Sequence, residues 1–301
     1  MKAVQILEPG KVEVVRLEKP LPAEGEVLLR MRFVGFCGSD LSTYLGKNPL
    51  VHYPRIPGHE ISGVIAGTGA GVPKEFVPGD AVTVVPYTHC GRCPSCRRGR
   101  PHACRENQTL GVQRDGAMQE YIALPWQKIL KAPGLRETEL AFVEPLTVGF
   151  HAVDRGRVTG TDTVAVLGCG MIGAGAIVGA ARRGARVIAV DIDPYKLKLA
   201  GELGAHHTLH SSESDLHRAL AELTGGDGPD VVIEAAGNPL TYRAAVEEVA
   251  FTGRVVCIGY TGSEVSLATG LFVQKEMDIL GSRNASTEDF RAVISCLEGG
   301  D

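Results

Sequence analysis

The sequence predicts an α/β protein in which an irregular β domain precedes a doubly wound parallel sheet. Three observations carry that expectation. Short β-type runs broken by Pro and Gly fill the chain from Met1 to about Ile129. Strand and helix patterns alternate from Thr163 onward, and a Gly-x-Gly-x-x-Gly motif joins the first of those strands to the first of those helices. At 301 residues there is room for two domains, and a composition 44% hydrophobic and 22% charged is that of an ordinary globular chain. The pattern places the first domain at 1–150, with a cysteine lobe at about 88–106. The second runs over 151–285, and 286–301 begins a C-terminal segment.

In the first domain the β-type runs are 12–17, 26–34, 61–66, 81–85 and 119–123. Around 139–156 the period changes from two to helical, with Ala141, Leu146, Phe150 and Val153 on a connecting helix. Strands then follow at 163–167, 186–190, 206–209, 230–234, 254–258 and 277–280, with helices up to 183 and at 194–203, 213–223 and 240–250; another begins at Thr287. Six strands with helical crossovers make a doubly wound sheet.

Charge narrows the partners. A formal net charge of -4 and a pI near 6.2 give no global attraction to nucleic acid or to an anionic membrane. Met1 to Glu8 meets an acid and Pro9 too early for a signal-peptide core, and no stretch has the length to span a bilayer, so the expected compartment is cytoplasmic with reduced thiols. Arg92, Arg97, Arg98, Arg100 and Arg105 suggest a zinc-ribbon nucleic-acid binder. No aromatic or helical reader accompanies them, so they are read as solvated or subunit-facing.

Cys90, Cys93, Cys96 and Cys104 stand close together in a chain otherwise sparing with cysteine. Two-residue gaps let consecutive sulfurs turn back to one point, Gly91, Pro94, Gly99 and Pro101 permit the turns, and the fourth thiol closes a tetrahedron around zinc. A closed four-thiolate site is structural. Disulfides are the alternative, disfavoured because nothing else looks secreted. Cys169, Cys257 and Cys296 sit in apolar or glycine-rich settings typical of buried free thiols.

Cys37 is different. It lies in Gly35-Phe36-Cys37-Gly38-Ser39-Asp40, and Gly58-His59-Glu60 follows after a proline-rich loop. A thiolate, an imidazole and a carboxylate are what an open catalytic zinc site uses, although on bare spacing a structural role is the commoner one.

In the second half, Gly168-Cys169-Gly170-Met171-Ile172-Gly173 follows a buried strand and opens a helix, and Asp191 ends the next strand. This is the full dinucleotide fingerprint. Gly168 allows the tight turn, Gly170 lets backbone approach a pyrophosphate at the helix N-terminus beside Met171 and Ile172, and Gly173 lets helix and strand pack. Asp191 is placed for the adenosine ribose hydroxyls, and its charge disfavours a 2′-phosphate, so NAD is expected over NADP. Gly259 and Tyr260 after the fifth strand, and Ser282 and Arg283 after the sixth, occupy crevice positions for the nicotinamide half. His206, His207 and His210 are read as strand and turn residues.

The Cys37 and His59 segments, Val77-Pro78-Gly79-Asp80-Ala81-Val82 and the four-cysteine lobe together resemble the zinc-containing medium-chain dehydrogenases of the sorbitol and threonine dehydrogenase type. That resemblance implies a GroES-like catalytic domain, a Rossmann domain, one catalytic and one structural zinc, NAD, and a homo-oligomer, dimer or tetramer. It assigns Cys37 and His59 to the catalytic zinc, with Glu60 the first choice for the third protein ligand and Glu144 of Glu144-Pro145-Leu146 the second. Ser39 matches the hydroxyl that bonds the substrate alcohol and passes its proton onward, and Lys196 matches a basic residue beside the adenosine ribose. Ser42 departs from the family, where many members carry histidine, leaving His52 or Tyr44 as replacements in the proton path.

The implied reaction moves hydride between NAD and a secondary alcohol of a polyol or sugar acid. Gly281 to Phe290 and Tyr53-Pro54-Arg55 also resemble bacterial L-galactonate and L-gulonate 5-dehydrogenases, implying a carboxylate-bearing substrate met by Arg283, or behind it Arg55 or Arg114. Family members run on past the position of Asp301, so the chain is expected to be truncated or to depart from the family there. The alternatives are a threonine or other alcohol dehydrogenase, and a catalytically silent member kept as a binding or structural protein.

Overall fold

β-branched runs become strands, and the small-residue run after the turn at Gly168 and Gly170 becomes a helix. The computed structural model describes residues 1–299. In chain order the strands are β1 Lys2–Glu8, β2 Lys11–Arg16, β3 Glu26–Val34, β4 Ile61–Thr68, β5 Ala81–Val84, β6 Tyr87–Thr88, β7 Gln108–Thr109, β8 Tyr121–Pro125, β9 Ile129–Lys131, β10 Thr163–Leu167, β11 Arg186–Asp191, β12 His207–His210, β13 Val231–Glu234, β14 Arg254–Cys257 and β15 Asp278–Gly281. The helices are α1 Gly38–Tyr44, α2 Pro94–Arg97, α3 Glu137–Leu140, α4 Val143–Arg155, α5 Met171–Arg182, α6 Pro194–Glu202, α7 Leu216–Thr224, α8 Pro239–Glu248, α9 Gly270–Gln274 and α10 Thr287–Gly299. The strands β1, β6, β7 and β9 and the short helices α1, α2 and α9 lie outside the sequence-predicted set.

Two compact units result: Met1–Glu144 with the segment starting at Ser286, and Pro145–Ala285. The division falls at Glu144 rather than after 150. The reason is α4, whose Gly149 lies so close to α5 that a Cβ there would sit 2.3 Å from the Ala176 nitrogen. The segment from Ser286 belongs with the first unit, where Phe290 is fully buried. The expected departure at the chain's end concerns Gly300 and Asp301, outside the described residues.

The first unit is built on a five-stranded antiparallel sheet ordered β8-β3-β4-β5-β9, over a core that includes Val27, Leu29, Ile61, Ile65, Val82 and Val84. The register of β3 on β4 pairs Val34 with Ile61. That one pairing places the residues just after β3 beside those just before β4, and Gly35 N–H donates to the Glu60 carbonyl at 2.8 Å. Cys37 therefore meets His59 and Glu60 across some twenty residues of chain. The small ladder β6·β7 pairs Tyr87 with Thr109 and forms the root of the cysteine lobe.

The second unit is a six-stranded parallel sheet ordered β12-β11-β10-β13-β14-β15. Successive residues bury on opposite faces. Val164, Val166 and Ile233 join one core and Ala165, Leu167 and Val232 another, as a sheet covered by helices on both sides requires. The strand order reverses between β10 and β13, and ligands of such sheets bind at that switch point.

Candidate active site

Cys37 caps the N-terminus of α1, and His59 and Glu60 immediately precede β4. One donor atom of each lies within 4.8 Å of the others. Asp40 holds the two segments together. It is 1% exposed; Oδ2 accepts from Cys37 N–H at 3.0 Å and Oδ1 from Gly58 N–H at 3.2 Å. Gly35 clears room for the third donor, since a Cβ there would lie 1.9 Å from Glu60 Oε2 and 2.8 Å from Glu60 Cβ. The His59 Nδ1 is buried with no hydrogen-bond partner among the described residues, and so is the Ser39 hydroxyl on α1.

Acidic groups dominate the surroundings. Burial pulls the His59 imidazole down, but its hydrogen bond with Cys37 and the charges of Glu144 and Asp40 outweigh that and push it up to about 10. Burial, then the Glu144 charge, raises Glu60 to about 7. Glu144, in the first turn of α4, is itself buried and raised by that burial. It is not among the atoms that meet within 4.8 Å, but accepts a hydrogen bond from the Tyr87 hydroxyl. Both His59 and Glu60 thus hold protons that a cation would displace. Of the proposed replacements in the proton path, Tyr44 and His52 are exposed, while Ser42 is half-buried.

In the lobe, Cys93 Sγ lies 3.5 Å from Cys96 Sγ and 3.7 Å from Cys104 Sγ, and Cys104 Sγ lies 3.6 Å from Cys90 Sγ. A tetrahedron of about 2.3 Å metal–sulfur bonds has edges of about 3.8 Å. These sulfur separations are far longer than the roughly 2.05 Å of a disulfide bond. Positive φ at Gly91 (73°) and Gly99 (71°) makes the two turns. Ser95 and backbone amides hold the Cys93 thiol down at about 5.

The dinucleotide motif sits between β10 and α5. Gly168 has φ 96°, and a Cβ there would lie 2.8 Å from Ala236 N, while one at Gly173 would lie 1.9 Å from the Gly168 carbonyl oxygen. A Cβ at Gly170 would meet nothing within 4 Å, so the N-terminus of α5 faces open space beside exposed Met171 and half-buried Ile172. Asp191 ends β11 and is 9% exposed. Its Oδ2 accepts from Cys169 N–H at 2.7 Å, and Oδ1 from Ile192 and Asp193 N–H at 2.8 and 3.0 Å. Lys196 is half-buried on α6, near enough for its charge to act on Cys169. Gly259 is half-buried and Tyr260 is 85% exposed. Ser282 is buried and Arg283 half-buried.

Three residues outside the sequence-predicted set shape these sites. Asp40 carries a weak signal, an acid three residues after a helix N-cap. Tyr87 carries none. Glu234, fully buried at the end of β13, accepts through Oε1 from Ala236 N–H, Gly237 N–H and the Thr241 hydroxyl at 3.0, 2.8 and 2.7 Å, and so fixes the loop after β13. Its signal is a lone charge closing the apolar run Val231-Val232-Ile233.

The fold is that of a zinc-type alcohol dehydrogenase, and the comparisons agree. Residues 23–134 match the alcohol dehydrogenase GroES-like domain and residues 172–299 the zinc-binding dehydrogenase family. L-galactonate-5-dehydrogenase of Escherichia coli K12 is 34% identical over 286 residues, which is 95% of this chain and 84% of that protein. An E. coli CFT073 alcohol dehydrogenase, RspB, solved with NADH, superposes with a TM-score of 0.92 at 32% identity, covering 100% of this chain and 88% of that one. A zinc-binding dehydrogenase of Sinorhizobium meliloti 1021 solved with NADP gives a TM-score of 0.93 at 31% identity, covering 99% and 88%. The chain belongs to the zinc-type medium-chain dehydrogenase family. Among the described residues, no helix is long and apolar enough to cross a membrane.

Proposed function

We propose that this chain is a zinc- and NAD-dependent dehydrogenase acting on a secondary alcohol of a polyol or sugar acid. The observation that carries the reading is the convergence of Cys37, His59 and Glu60 within 4.8 Å, next to a buried acceptor-free imidazole nitrogen. Soft thiolate, imidazole and carboxylate form a zinc donor set that leaves a coordination position open. The lobe supplies a second, closed set. Zinc held by Cys37, His59 and Glu60 would supply Lewis acidity to the substrate alcohol.

The chain's own residues do the rest. Ser39, whose buried hydroxyl has no partner among the described residues, relays the proton of the substrate alcohol, releasing its own towards water as it takes the other. Gly168, Gly170 and Gly173 leave backbone and helix N-terminus open to a pyrophosphate. NAD is favoured over NADP by Asp191: three amides occupy three of its roughly four lone-pair sites, leaving one for a ribose hydroxyl and a charge that repels a 2′-phosphate.

The sugar-acid end of the substrate range is supported by the resemblance of Gly281 to Phe290 and by the L-galactonate relative. Arg283, which lies in that stretch, is the first candidate for the carboxylate, with Arg55 and Arg114 behind it. The test is metal analysis together with a screen of polyols and aldonates, following reduced-nicotinamide absorbance with NAD and with NADP. The expected result is zinc at both donor sets and turnover with NAD. Zinc in the lobe alone, with no NAD binding, overturns the reading in favour of a silent binding protein.

A further inference from the structure

Tyr87 is buried beside Glu144. It begins the Tyr87-Thr88-His89-Cys90 stretch that enters the cysteine lobe, and its position is fixed from several sides. Its backbone pairs with Thr109 in the ladder at the lobe's root. Its carbonyl accepts from Lys128 Nζ at 2.5 Å. Its ring meets Phe290 edge-on, with centroids 6.2 Å apart and planes at 73°. The side chain is 5% exposed, and its hydroxyl donates to Glu144 Oε1.

Glu144 is 4% exposed, and its charge acts on both His59 and Glu60. A carboxylate so deeply buried is held by the donors that reach it. Phenol is a fitting donor: it offers a proton at neutral pH without bringing a positive charge that would compete with a metal ion. The root of the lobe and the surroundings of the open donor set therefore share one side chain.

We propose that Tyr87 is a positioning residue for the reaction: its hydroxyl fixes Glu144 beside the Cys37, His59 and Glu60 donor set and so tunes the metal held there. The inference rests on reading those three residues as metal ligands. Tyr87 acts through Glu144, so its effect vanishes when Glu144 can no longer respond.

That dependence sets the test. Tyr87→Phe keeps the ring against Phe290 and the strand pairing while deleting the hydroxyl. Glu144→Gln keeps the size of its side chain while deleting the charge. Both single variants and the double variant are loaded with cobalt(II), and the spectrum belonging to the open set is the absorption that Cys37→Ala removes. Outer partners of metal ligands typically change affinity or activity by about 10–100-fold. Tyr87→Phe is expected to shift that cobalt spectrum, lower kcat by about tenfold with little change in KM, and leave the lobe's metal content near wild type, with a melting temperature lowered only by the loss of one buried hydrogen bond. The double variant should match Glu144→Gln alone, a non-additivity that a merely structural tyrosine does not produce.

A cobalt spectrum and kcat unchanged in Tyr87→Phe overturn the proposal, as do losses that multiply in the double variant. If wild-type protein shows no cobalt absorption that Cys37→Ala removes, the ligand reading itself fails. If that absorption is present and Glu144→Gln alters it while Tyr87→Phe does not, only the role of Tyr87 fails.

Discussion

Replacing Asp40 by asparagine separates the metal donors from what holds them. The carboxylate is 1% exposed and gives one oxygen to Cys37 N–H and the other to Gly58 N–H. Asparagine has a single carbonyl oxygen, so one of these amides must face an NH2 group instead. A hydrogen bond to a charged group contributes about 1.5–3 kcal/mol, and a buried donor left without an acceptor costs about 1–3 kcal/mol. These figures describe the same lost bond from two sides, so the expected destabilisation is about 2–3 kcal/mol. Against a total of roughly 5–15 kcal/mol the variant still folds. The larger effect falls on metal binding, because the two amides belong to the segments carrying Cys37 and His59; affinity of the open set should fall about 10–100-fold while the lobe keeps its metal. Urea unfolding gives the first quantity and zinc competition with a chromophoric chelator the second. Wild-type stability with wild-type zinc affinity refutes the assignment of Asp40 as the clamp between the two segments.

Cys37→Ala should abolish turnover and spare folding, whereas Cys93→Ala should impair stability or assembly, read by circular dichroism and size exclusion beside activity; equal loss of folded protein in both sinks the division between an open and a closed metal site. Gly35→Ala drives a methyl into Glu60 Cβ as well as its carboxylate, so about 1–3 kcal/mol of overpacking and loss of zinc from the open set are expected, with the lobe's zinc retained. Wild-type zinc content in that variant counts against Glu60 as a ligand. The pH dependence of the metal-free chain follows from two raised groups. Glu60, lifted to about 7, contributes stability that is fully present below its unfolded value near 4.5 and lost as pH rises through 7; His59, lifted to about 10, does the same from 6.5 through 10. Zinc requires the deprotonated donors, so the melting-temperature gain on adding zinc should widen from pH 5 to pH 8. A gain that stays flat or narrows over that range contradicts the raised values.

What could be read from the sequence was what is local along it. The Gly168 to Gly173 turn and the cysteine lobe each compress their whole chemistry into a few residues, and spacing alone names the geometry. The strands β10, β11, β13 and β14 were legible because buried parallel strands are continuous apolar runs, and the edge strands β12 and β15 from their place in the α/β alternation. The α9 helix, Gly-Leu-Phe-Val-Gln, is too short for a helical period to show. The convergence of Cys37 with His59 and Glu60 depends on the β3·β4 register, which no spacing rule contains. Tyr87 and Glu144, 57 positions apart, meet only because the tertiary fold brings them together.

Three acidic residues share one physical role that no spacing rule shows. Asp40 accepts from Cys37 and Gly58 N–H, Asp191 from Cys169, Ile192 and Asp193 N–H, and Glu234 from Ala236 and Gly237 N–H. Each is a buried carboxylate, and each ties down a loop that leaves a strand or opens a helix at a candidate ligand position. Such loops carry an excess of amide donors without ladder partners, and a carboxylate is the one common side chain that accepts several at once and donates none when ionised. Burying the charge is costly, and the amides offset that cost only if the loop keeps its shape. The same bonds that make the carboxylate tolerable therefore make the loop rigid, which is what a metal donor set and a pyrophosphate cradle both need. Substituting any of the three should affect the nearby ligand site more than the rest of its unit, and that distinguishes an organising carboxylate from one that only adds stability.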